Sequence, residues 1–298
     1  MAEHLILALD DSAGSDAAVD WVISRSDTHD LDLELTIVKE TVRLPHGERM
    51  VLSSTPFEEL LHRVAGRILA SRPLLTARLV VREGHPARAL IAASERAALL
   101  VLGSDRPGAL VGLVNGTVPL QVASRARCPV VVVPRDRAGG SGRVVCGWTD
   151  DGTGDAALEF AAREARASGE SLHLVHAWRV PLLAESGVTA IGAAELALDE
   201  VAAAAASALE EAARGVRAAH PGLEVTTEVA SGSAAHAIVD AGRDASLVVV
   251  GSHGRSALGG LLLGSVSHDV LLALPAPVAV VPAPEPITVL PEIVDEDL

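Results

Sequence analysis

Short aliphatic runs recur along the chain, and a longer stretch of mixed polarity separates each run from the next. The runs are residues 5–9, 33–38, 77–81, 99–103 and 128–134 in the first half, and lie near 143–148, 171–177, 223–230, 246–250 and 277–281 in the second. Near-continuous aliphatic runs are typical of strands that a parallel sheet buries on both faces. Strands that alternate with helices predict an α/β fold with right-handed crossover connections.

The segments between these runs carry helix signals. Ser15 is predicted to cap the first helix, and residues 57–70 are predicted to form the second. Pro86 opens the third helix in its first turn, where the missing N–H costs nothing. The fourth helix is expected to begin near Gly116, after a glycine-rich loop. In the second half, residues 193–219 predict a long alanine-rich helix.

The chain contains an internal repeat. The segment LVLGSDRPGALVGLVNGT (100–117) matches VVVGSHGRSALGGLLLGS (248–265). A constant spacing of 148 residues relates four landmark pairs, which are Gly84 and Gly232, Gly103 and Gly251, Gly116 and Gly264, and Pro134 and Pro282. Near the start of each half, Asp10 corresponds to Thr149 at a spacing of 139 residues. A spacing that holds over four landmarks indicates duplication of one unit.

The repeat divides the chain into two domains, at residues 1–136 and 143–283. Residues 137–142 are rich in Gly and Arg and are predicted to be a linker. Residues 284–298 contain several Pro and end in acidic residues, which predicts a flexible acidic tail. The ITVL segment of that tail has strand character and would alternatively lie across a sheet edge. Each domain is predicted to be a doubly wound, Rossmann-like parallel sheet of five strands.

Charge and composition narrow the classes of partner. The formal net charge is −15 and the pI is about 5.1, and a field of that sign repels nucleic acid and anionic membranes. Cys128 and Cys146 fall in different halves, which predicts reduced, buried thiols. No signal peptide is visible in the sequence, and no apolar stretch reaches the length of a membrane span. We therefore expect a cytoplasmic protein.

Glycines are concentrated after the fourth strand of each half. An open parallel sheet binds ligands beyond the carboxyl ends of its strands, where the loops after the first and fourth strands meet. Glycine permits close backbone approach to an anion, and a helix N-terminus offers free N–H groups. The candidate phosphate site of the second half consists of Gly251, Ser252, Gly254, Gly264, Ser265, Val266 and Ser267. Ser265 and Ser267 would add hydroxyl donors.

Two common nucleotide motifs are missing from this sequence. No Gly-Lys-Ser/Thr follows the glycines, so the loop is not a Walker A loop, and no Gly-x-Gly-x-x-Gly follows the first strand. Glycine-rich turns could also serve only to connect a strand to a helix. Duplication of the loop together with its spacing favours a binding site over that alternative.

The pattern Gly-x₂-Gly-x₉-Gly-Ser/Thr resembles the ATP-binding signature of the universal stress protein family, and the second half matches it completely. The strand end HAW (176–178) and the closing segments PVVVVP and PVAVVP are similar to the same family. The resemblance implies a strand order of 3-2-1-4-5 in each domain. It implies ATP, with or without Mg²⁺, held between the first-strand loop, the end of the second strand and the glycine loop. It also implies association through the fifth strands, which the two halves satisfy within one chain, and further association of two chains as a homodimer.

The first half departs from the family pattern in its loop. Its candidate site residues are Asp10, which matches the family aspartate that contacts the nucleoside, and Gly103, Ser104, Arg106, Gly116 and Thr117. Arg106 stands where the second glycine of the pattern belongs. Its side chain would either block the pocket or pair with phosphate.

The second half departs from the family pattern after its first strand. Thr149 occupies the aspartate position, although Asp150 and Asp151 follow directly and a small shift of register would restore a carboxylate. The residue that lines adenine is predicted to be Ala177 in the second half and Glu40 in the first. Because the phosphate loop is intact only in the second half, we expect that half to bind ATP more tightly.

The sequence therefore predicts an ATP-binding regulatory protein of the stress response, in which ATP is a ligand and hydrolysis is at most slow. No catalytic residue and no set of metal ligands can be assigned from the sequence. One alternative is a scaffold that no longer binds nucleotide, which Arg106 and Thr149 favour. Another is an adenylating enzyme of the nucleotide α-hydrolase type. The segment ALDDSAGSD (8–16) lacks the Ser-Gly-Gly-x-Asp-Ser loop of those enzymes.

Overall fold

The computed structural model describes residues 2–43, 46, 49–51, 56–105, 118–136, 140, 142–178, 191–252 and 263–283. The elements of the first half are β1 (Glu3–Leu9), α1 (Ala13–Arg25), β2 (Leu31–Lys39), β3 (Thr41–Arg43), β4 (Arg49–Val51), α2 (Phe57–Ser71), β5 (Ala77–Glu83), α3 (Pro86–Ser94), β6 (Leu99–Ser104), α4 (Val118–Ala123) and β7 (Val130–Pro134). The elements of the second half are β8 (Arg143–Gly147), α5 (Asp155–Ser168), β9 (Ser171–Trp178), α6 (Ile191–Ala219), β10 (Val225–Ser231), α7 (Ala234–Ala241), β11 (Leu247–Gly251), α8 (Ser265–Ala273) and β12 (Val278–Val281). The sequence predicted no element where β3 and β4 form a short antiparallel hairpin.

The strands of both halves lie in one sheet of ten, in the order β10-β9-β8-β11-β12-β7-β6-β1-β2-β5. Within each half the neighbours are parallel, and the third, second, first, fourth and fifth strands follow one another across the sheet. At the junction β12 runs antiparallel to β7, with Val278 opposite Val132 and Val280 opposite Val130. The chain is therefore α/β, as predicted, and its two five-stranded units are the halves of a single mixed sheet.

The hydrophobic core passes from one half into the other. One layer lies between the sheet and α1, α2, α5 and α6, and the other lies between the sheet and α3, α4, α7 and α8. Because side chains alternate along a strand, Val131 and Ala279 enter the first layer while Val130 and Val280 enter the second. All four are buried. Burial of each valine stabilises the junction by about 1.5–3 kcal/mol relative to an exposed side chain.

The helix α1 begins earlier than the sequence predicted, because its N-cap is Ser12 and not Ser15. The Ser12 Oγ accepts a hydrogen bond from the Ser15 backbone N–H at 3.1 Å, which satisfies one donor of the first turn. Ser15 is buried inside that turn, and its Oγ accepts from the Asp10 N–H at 3.2 Å. The side chains of Ser12 and Ser15 therefore both hydrogen-bond to the backbone around the connection between β1 and α1.

A buried ion pair joins the two halves on the α1 side of the sheet. The Arg25 guanidinium is 6% exposed and Glu164 of α5 is 8% exposed. Arg25 Nη2 donates to Glu164 Oε1 at 2.9 Å and to Glu3 Oε2 at 2.9 Å, and Nη1 donates to Glu164 Oε2. Burial by itself would lower the pKa of Arg25, but the Glu164 and Glu3 carboxylates outweigh it, so the pKa is raised. Arg25 is therefore charged at every physiological pH.

A cavity of about 220 Å³ opens beside this ion pair, at the amino ends of β8 and β11. Its lining includes Trp21, His29, Glu164 and Glu170. Burial and the nearby Arg25 cation lower the pKa of His29 from its usual value. His29 is therefore neutral at neutral pH and adds no positive charge to the cavity.

Both cysteines are buried and unpaired, as the sequence predicted. Burial raises the pKa of the Cys128 thiol and that of the Cys146 thiol to about 12. The thiolate is the reactive form of cysteine, so neither side chain is a nucleophile at neutral pH.

Candidate functional site

The loops that follow the first and fourth strands meet at one edge of each half. In the first half β1 pairs with β6, with Ala8 opposite Leu102, so the chain leaves both strands side by side. In the second half β8 pairs with β11, with Cys146 opposite Val249. The candidate residues Asp10, Gly103, Thr149 and Gly251 stand at or just beyond the ends of these four strands.

The two loops of the first half touch backbone to backbone. A Cβ atom added to Gly103 would lie 2.1 Å from the Gly14 carbonyl carbon and 2.4 Å from the Ser15 nitrogen. A Cβ atom added to Gly14 would lie 2.6 Å from the Ser104 nitrogen. Only glycine at both positions allows this approach. The contact is reinforced by the exposed Asp105, whose Oδ1 accepts a hydrogen bond from the Gly14 N–H at 2.6 Å.

The Asp10 carboxylate is exposed at the mouth of this edge and accepts a hydrogen bond from the Ser12 hydroxyl at 2.5 Å. The Ser104 carbonyl accepts from the Arg135 N–H at 2.8 Å, so its backbone is tied to the segment after β7. The described part of the helix that follows the loop, α4, has six residues.

The loop after β8 in the second half folds on itself. Asp151 Oδ1 accepts from the Thr153 N–H at 3.0 Å and from the Thr153 hydroxyl at 2.5 Å. A Cβ atom at Gly154, the N-cap of α5, would lie 3.1 Å from the Thr149 nitrogen. Thr149 is half-buried and Asp150 is exposed. Asp151 is therefore held within its own turn.

The N-terminus of α8 lies against the end of β11. Gly264 is its N-cap, with φ −59° and ψ 150°, and has no side chain to satisfy the first amides of the helix. The Gly264 N–H donates to the Ser252 carbonyl at 2.8 Å, and the Ser252 N–H donates to the Val281 carbonyl at 2.8 Å. These bonds hold the two ends of the glycine loop together. Ser265 is exposed and Val266 is half-buried beside it.

Ser267 differs from its expected role as an exposed donor. It is 2% exposed, and its hydroxyl donates to the Gly264 carbonyl at 2.9 Å, with the Ser252 carbonyl at 3.4 Å. A hydroxyl has one proton to donate, and here backbone oxygens receive it. Ser267 therefore braces the loop, and Ser265 is left as the accessible hydroxyl.

The register of the second strands corrects the adenine-lining residue of the first half. The Gly84 N–H donates to the Lys39 carbonyl at 3.0 Å, as the Gly232 N–H does to the Trp178 carbonyl at 2.9 Å. Both glycines have positive φ, +125° and +110°, which explains why glycine recurs there. The counterpart of Ala177 is therefore Val38, one residue before Lys39. Glu40 lies beyond the strand and is exposed, so the residue that aligns with Ala177 in the structure is not the one aligned with it from the sequence.

Trp148 contacts His176 at the end of β8, and no local sequence pattern indicated this contact. Their ring centroids lie 5.5 Å apart, and His176 Nδ1 donates to the Trp148 carbonyl at 3.1 Å. Because Trp148 directly precedes Thr149, this pair fixes the point at which the chain leaves β8.

Several predicted residues lie outside the described part of the chain. These are Arg106, Gly116, Thr117 and Gly254, together with residues 284–298. Over the described ranges, no three His, Cys, Asp or Glu side chains converge as a group that could hold a metal ion. Within those same ranges, every helix is too short or too polar to cross a membrane.

Comparison with known proteins identifies the family to which this fold belongs. The model of the Universal stress protein family matches residues 1–134 and again residues 141–282. The chain belongs to the universal stress protein family. It is 31% identical over 289 residues to a universal stress protein of Mycolicibacterium smegmatis, covering 93% of this chain and 96% of that one. It is 35% identical over 199 residues to Universal stress protein Rv2005c of Mycobacterium tuberculosis, covering 65% of each.

Solved structures of this family share the fold. A universal stress protein from Archaeoglobus fulgidus superposes with a TM-score of 0.68 at 22% identity, covering 95% of this chain and 97% of that chain. A putative universal stress protein from Pseudomonas aeruginosa superposes with a TM-score of 0.63 at 15% identity, covering 95% and 94%. The likeness spans both halves of this chain.

Proposed function

We propose that this universal stress protein binds ATP in its second half, as a regulatory ligand of the stress response. The observation that carries the proposal is the N-terminus of α8, whose cap residue is a glycine and whose first turn adjoins Ser252 at the carboxyl end of β11. Unpaired N–H groups and the positive end of the helix dipole favour an anion at such a position. A triphosphate has the charge that this position favours.

The remaining candidate residues suit the other parts of the nucleotide. Gly251, Ser252, Gly254, Gly264, Ser265 and Val266 would surround the phosphates, with the N–H groups of Ser265 and Val266 at the start of α8 as donors. Thr149 would hydrogen-bond the nucleoside and Ala177, which has a small half-buried side chain, would leave room for adenine. The exposed Asp150 carboxylate would accept hydrogen bonds from the ribose or hold a Mg²⁺ ion that accompanies the phosphates.

We infer that ATP acts as a ligand and not as the substrate of a dedicated reaction. The described groups at residues 264–267, where α8 begins, are backbone amides and hydroxyls, which can bind phosphate by hydrogen bonds. Binding would favour the conformation that binds ATP more tightly and so bias which protein partner the chain engages. We place this activity in the cytoplasm, where ATP is available.

Replacing Gly264 with valine is expected to abolish most ATP binding. A branched side chain at the N-cap occupies the space through which phosphate approaches the backbone. Loss of one charge-assisted hydrogen bond costs about 1.5–3 kcal/mol, or about ten- to a hundredfold in Kd. Isothermal titration calorimetry with ATP measures the change. Gly215→Val, at an exposed helical glycine with nothing within 4 Å of its Cβ position, is the control. Equal affinity of the Gly264→Val variant and the unmodified protein would exclude this phosphate site.

We also propose that the two halves pair through their fifth strands in solution and that two chains associate further as a homodimer. The proposal is supported by the aliphatic character of β7 and β12, since an unpaired edge of this kind promotes association. Residues 1–136 and 143–298 expressed separately are expected to dimerise or aggregate. Analytical ultracentrifugation distinguishes these outcomes from monomers, with the full chain as the control. Two soluble, monomeric halves at high concentration would show that the pairing is not needed.

A further inference from the structure

The two outer edges of the ten-stranded sheet differ in chemistry. β5 is the last strand on the side of the first half, and β10 is the last strand on the side of the second. Within the described ranges, four of the five exposed large hydrophobic side chains lie on β5, on α2 and on the connection between them, and these are Leu69, Leu74, Leu79 and Val81. We call this region the β5 edge. Large exposed hydrophobic side chains are therefore concentrated at one end of the sheet.

The apolar side chains of β5 face the same side of the sheet as α2. Leu79 pairs in register with Leu35 of β2, and Val81 pairs with Ile37. Leu35 and Ile37 are buried in the core layer between the sheet and α1 and α2. The next strand outward leaves that layer, since Leu79 is 39% exposed and Val81 is 38% exposed. The core layer of the first half therefore continues to the outside of the molecule at β5.

The second half provides an internal comparison, because its outer edge is built from the same elements. α2 and α6 end 148 residues apart, and β5 and β10 begin and end at that same spacing. Polar or small residues of the second half replace three of the four exposed hydrophobic residues: Arg217 replaces Leu69, Gly222 replaces Leu74 and Thr227 replaces Leu79. The apolar character is thus a property of the β5 edge alone.

Arg217 also occupies part of the backbone of β10. The Glu224 carbonyl accepts from the Leu172 N–H of β9 at 2.8 Å, so the next carbonyl, that of Val225, points away from the sheet. Arg217 Nη2 donates to this Val225 carbonyl at 2.9 Å. Charged side chains at an edge strand oppose pairing with another strand. Leu69, the counterpart of Arg217, has no donor, so the β5 edge lacks this protection.

The backbone of β5 is suited to pairing with a second copy of itself. The Gly84 N–H faces β2, where it donates to the Lys39 carbonyl. Because backbone groups alternate in direction along a strand, Leu79 and Val81 direct their N–H and C=O groups outward. Antiparallel pairing of two copies about Val80 would place Leu79 of one copy opposite Val81 of the other, in hydrogen-bonded pairs. The apolar side chains of both copies would then meet on the α2 side.

The charges on the opposite face of β5 are already balanced within each chain. Arg78 lies 2.9 Å from Asp32, and Arg82 lies 2.7 Å from Glu34. Antiparallel pairing about Val80 would bring Arg78 of one copy opposite Arg82 of the other, each with its own carboxylate. These four side chains carry no net charge, which suits association of two chains whose formal net charge is −15 each.

We propose that the β5 edge is the surface through which two chains associate, with their β5 strands paired antiparallel about Val80. The inference rests on the homodimer proposed above and locates its interface, and it is independent of ATP. Pairing of β5 with β10 of another chain would leave free edges and continue into a filament, whereas pairing of β5 with β5 closes after two chains. The polar surface of β10, with Arg217 on its backbone, also offers no match for the apolar β5 edge.

The test is sedimentation equilibrium of the full chain over a series of concentrations. The unmodified protein is expected to be a dimer. Leu79→Lys is expected to weaken the dimer by at least about tenfold in Kd, because it places a charge among the paired apolar side chains. Thr227→Lys makes the same change at the counterpart position of β10, which is exposed, and is expected to leave the dimer unchanged. Leu69→Arg introduces the residue of the second half and is expected to weaken the dimer as well.

A cross-link tests the register. The two Val80 residues would form a non-hydrogen-bonded pair with Cα atoms about 4.5 Å apart, within the reach of a disulfide. Val80→Cys is therefore expected to give a covalent dimer under mild oxidation, and Leu79→Lys in the same chain is expected to prevent it. The native Cys128 and Cys146 are buried, so the unmodified protein is the control. Thermal melting shows whether each variant remains folded.

The outcomes separate this interface from the homodimer itself. A dimer that Leu79→Lys and Leu69→Arg leave unchanged, and that Val80→Cys does not cross-link, would overturn the β5 interface and leave the proposed homodimer intact. A monomeric unmodified chain at every concentration would refute the homodimer together with its interface, and would leave the proposed ATP site untouched. Equal weakening by Leu79→Lys and Thr227→Lys would also overturn the inference, because the effect would then not be specific to β5.

Discussion

Replacing Glu164 with glutamine is expected to lower the free energy of unfolding by about 3–5 kcal/mol, because removing one partner leaves a buried charge uncompensated. Arg25 would keep its charge in a place where it is 6% exposed. Glu3 would remain its only carboxylate partner among the described residues, through one bond of 2.9 Å. The loss should be visible in urea denaturation at neutral pH.

The matched control for Glu164→Gln is an exposed ion pair of the same chain. Asp32 and Arg78 have side chains that are 44% and 58% exposed, so Asp32→Asn is expected to change stability by no more than about 1 kcal/mol. The double variant Arg25→Met/Glu164→Leu is expected to recover most of the loss, since apolar side chains can replace a buried ion pair. Equal, small effects of Glu164→Gln and Asp32→Asn would show that the ion pair does not hold the halves together.

Replacing Gly103 with alanine is expected to destabilise the first half by at least about 2 kcal/mol, as overpacking does in a closely packed interior. The added Cβ would lie 2.1 Å from the Gly14 carbonyl carbon and 2.2 Å from its oxygen. Neither atom belongs to a flexible side chain, so the strand end and the helix start would have to separate. Hydrogen exchange at the amides of β6 and α1 would locate the loosening.

Gly66→Ala is the matched control for Gly103→Ala, since it also adds one carbon to a glycine. It is expected to have the opposite effect on stability. Gly66 lies within α2, and nothing is within 4 Å of its Cβ position. Alanine is the better helix former, so the variant is expected to gain up to about 1 kcal/mol. If Gly103→Ala were as stable as the unmodified protein, the close approach of the two loops would not exist in solution.

The features that the sequence predicted are those that repeat or that depend on local burial. Strands such as β6 and β11 are aliphatic throughout because helices cover both faces, so their positions follow from composition alone. The spacing between Gly84 and Gly232 revealed the duplication, and their positive φ values show why no other residue serves there. The resemblance to the family was indicated by the glycine pattern of residues 251–265.

The features that sequence reasoning missed depend on contacts between distant residues. Asp105 and Gly14 are 91 residues apart, and Arg25 and Glu164 are 139 apart. No local pattern marks such pairs as partners. Local ambiguity caused the remaining differences: both Ser12 and Ser15 suit an N-cap, and a displacement of two residues moves the counterpart of Ala177 from Val38 to Glu40. Knowing the register of β2 against β5 resolves the second case.

The antiparallel pairing of β7 with β12 has a consequence for how the two halves communicate. Since the strands of one half run opposite to those of the other, the carboxyl ends of the two halves face away from each other across the sheet. A molecule bound at the carboxyl-end edge of one half therefore cannot touch the carboxyl-end edge of the other half. A ligand at one edge can influence the other edge only through the body of the protein, which includes the central strand pair and the Arg25–Glu164 ion pair.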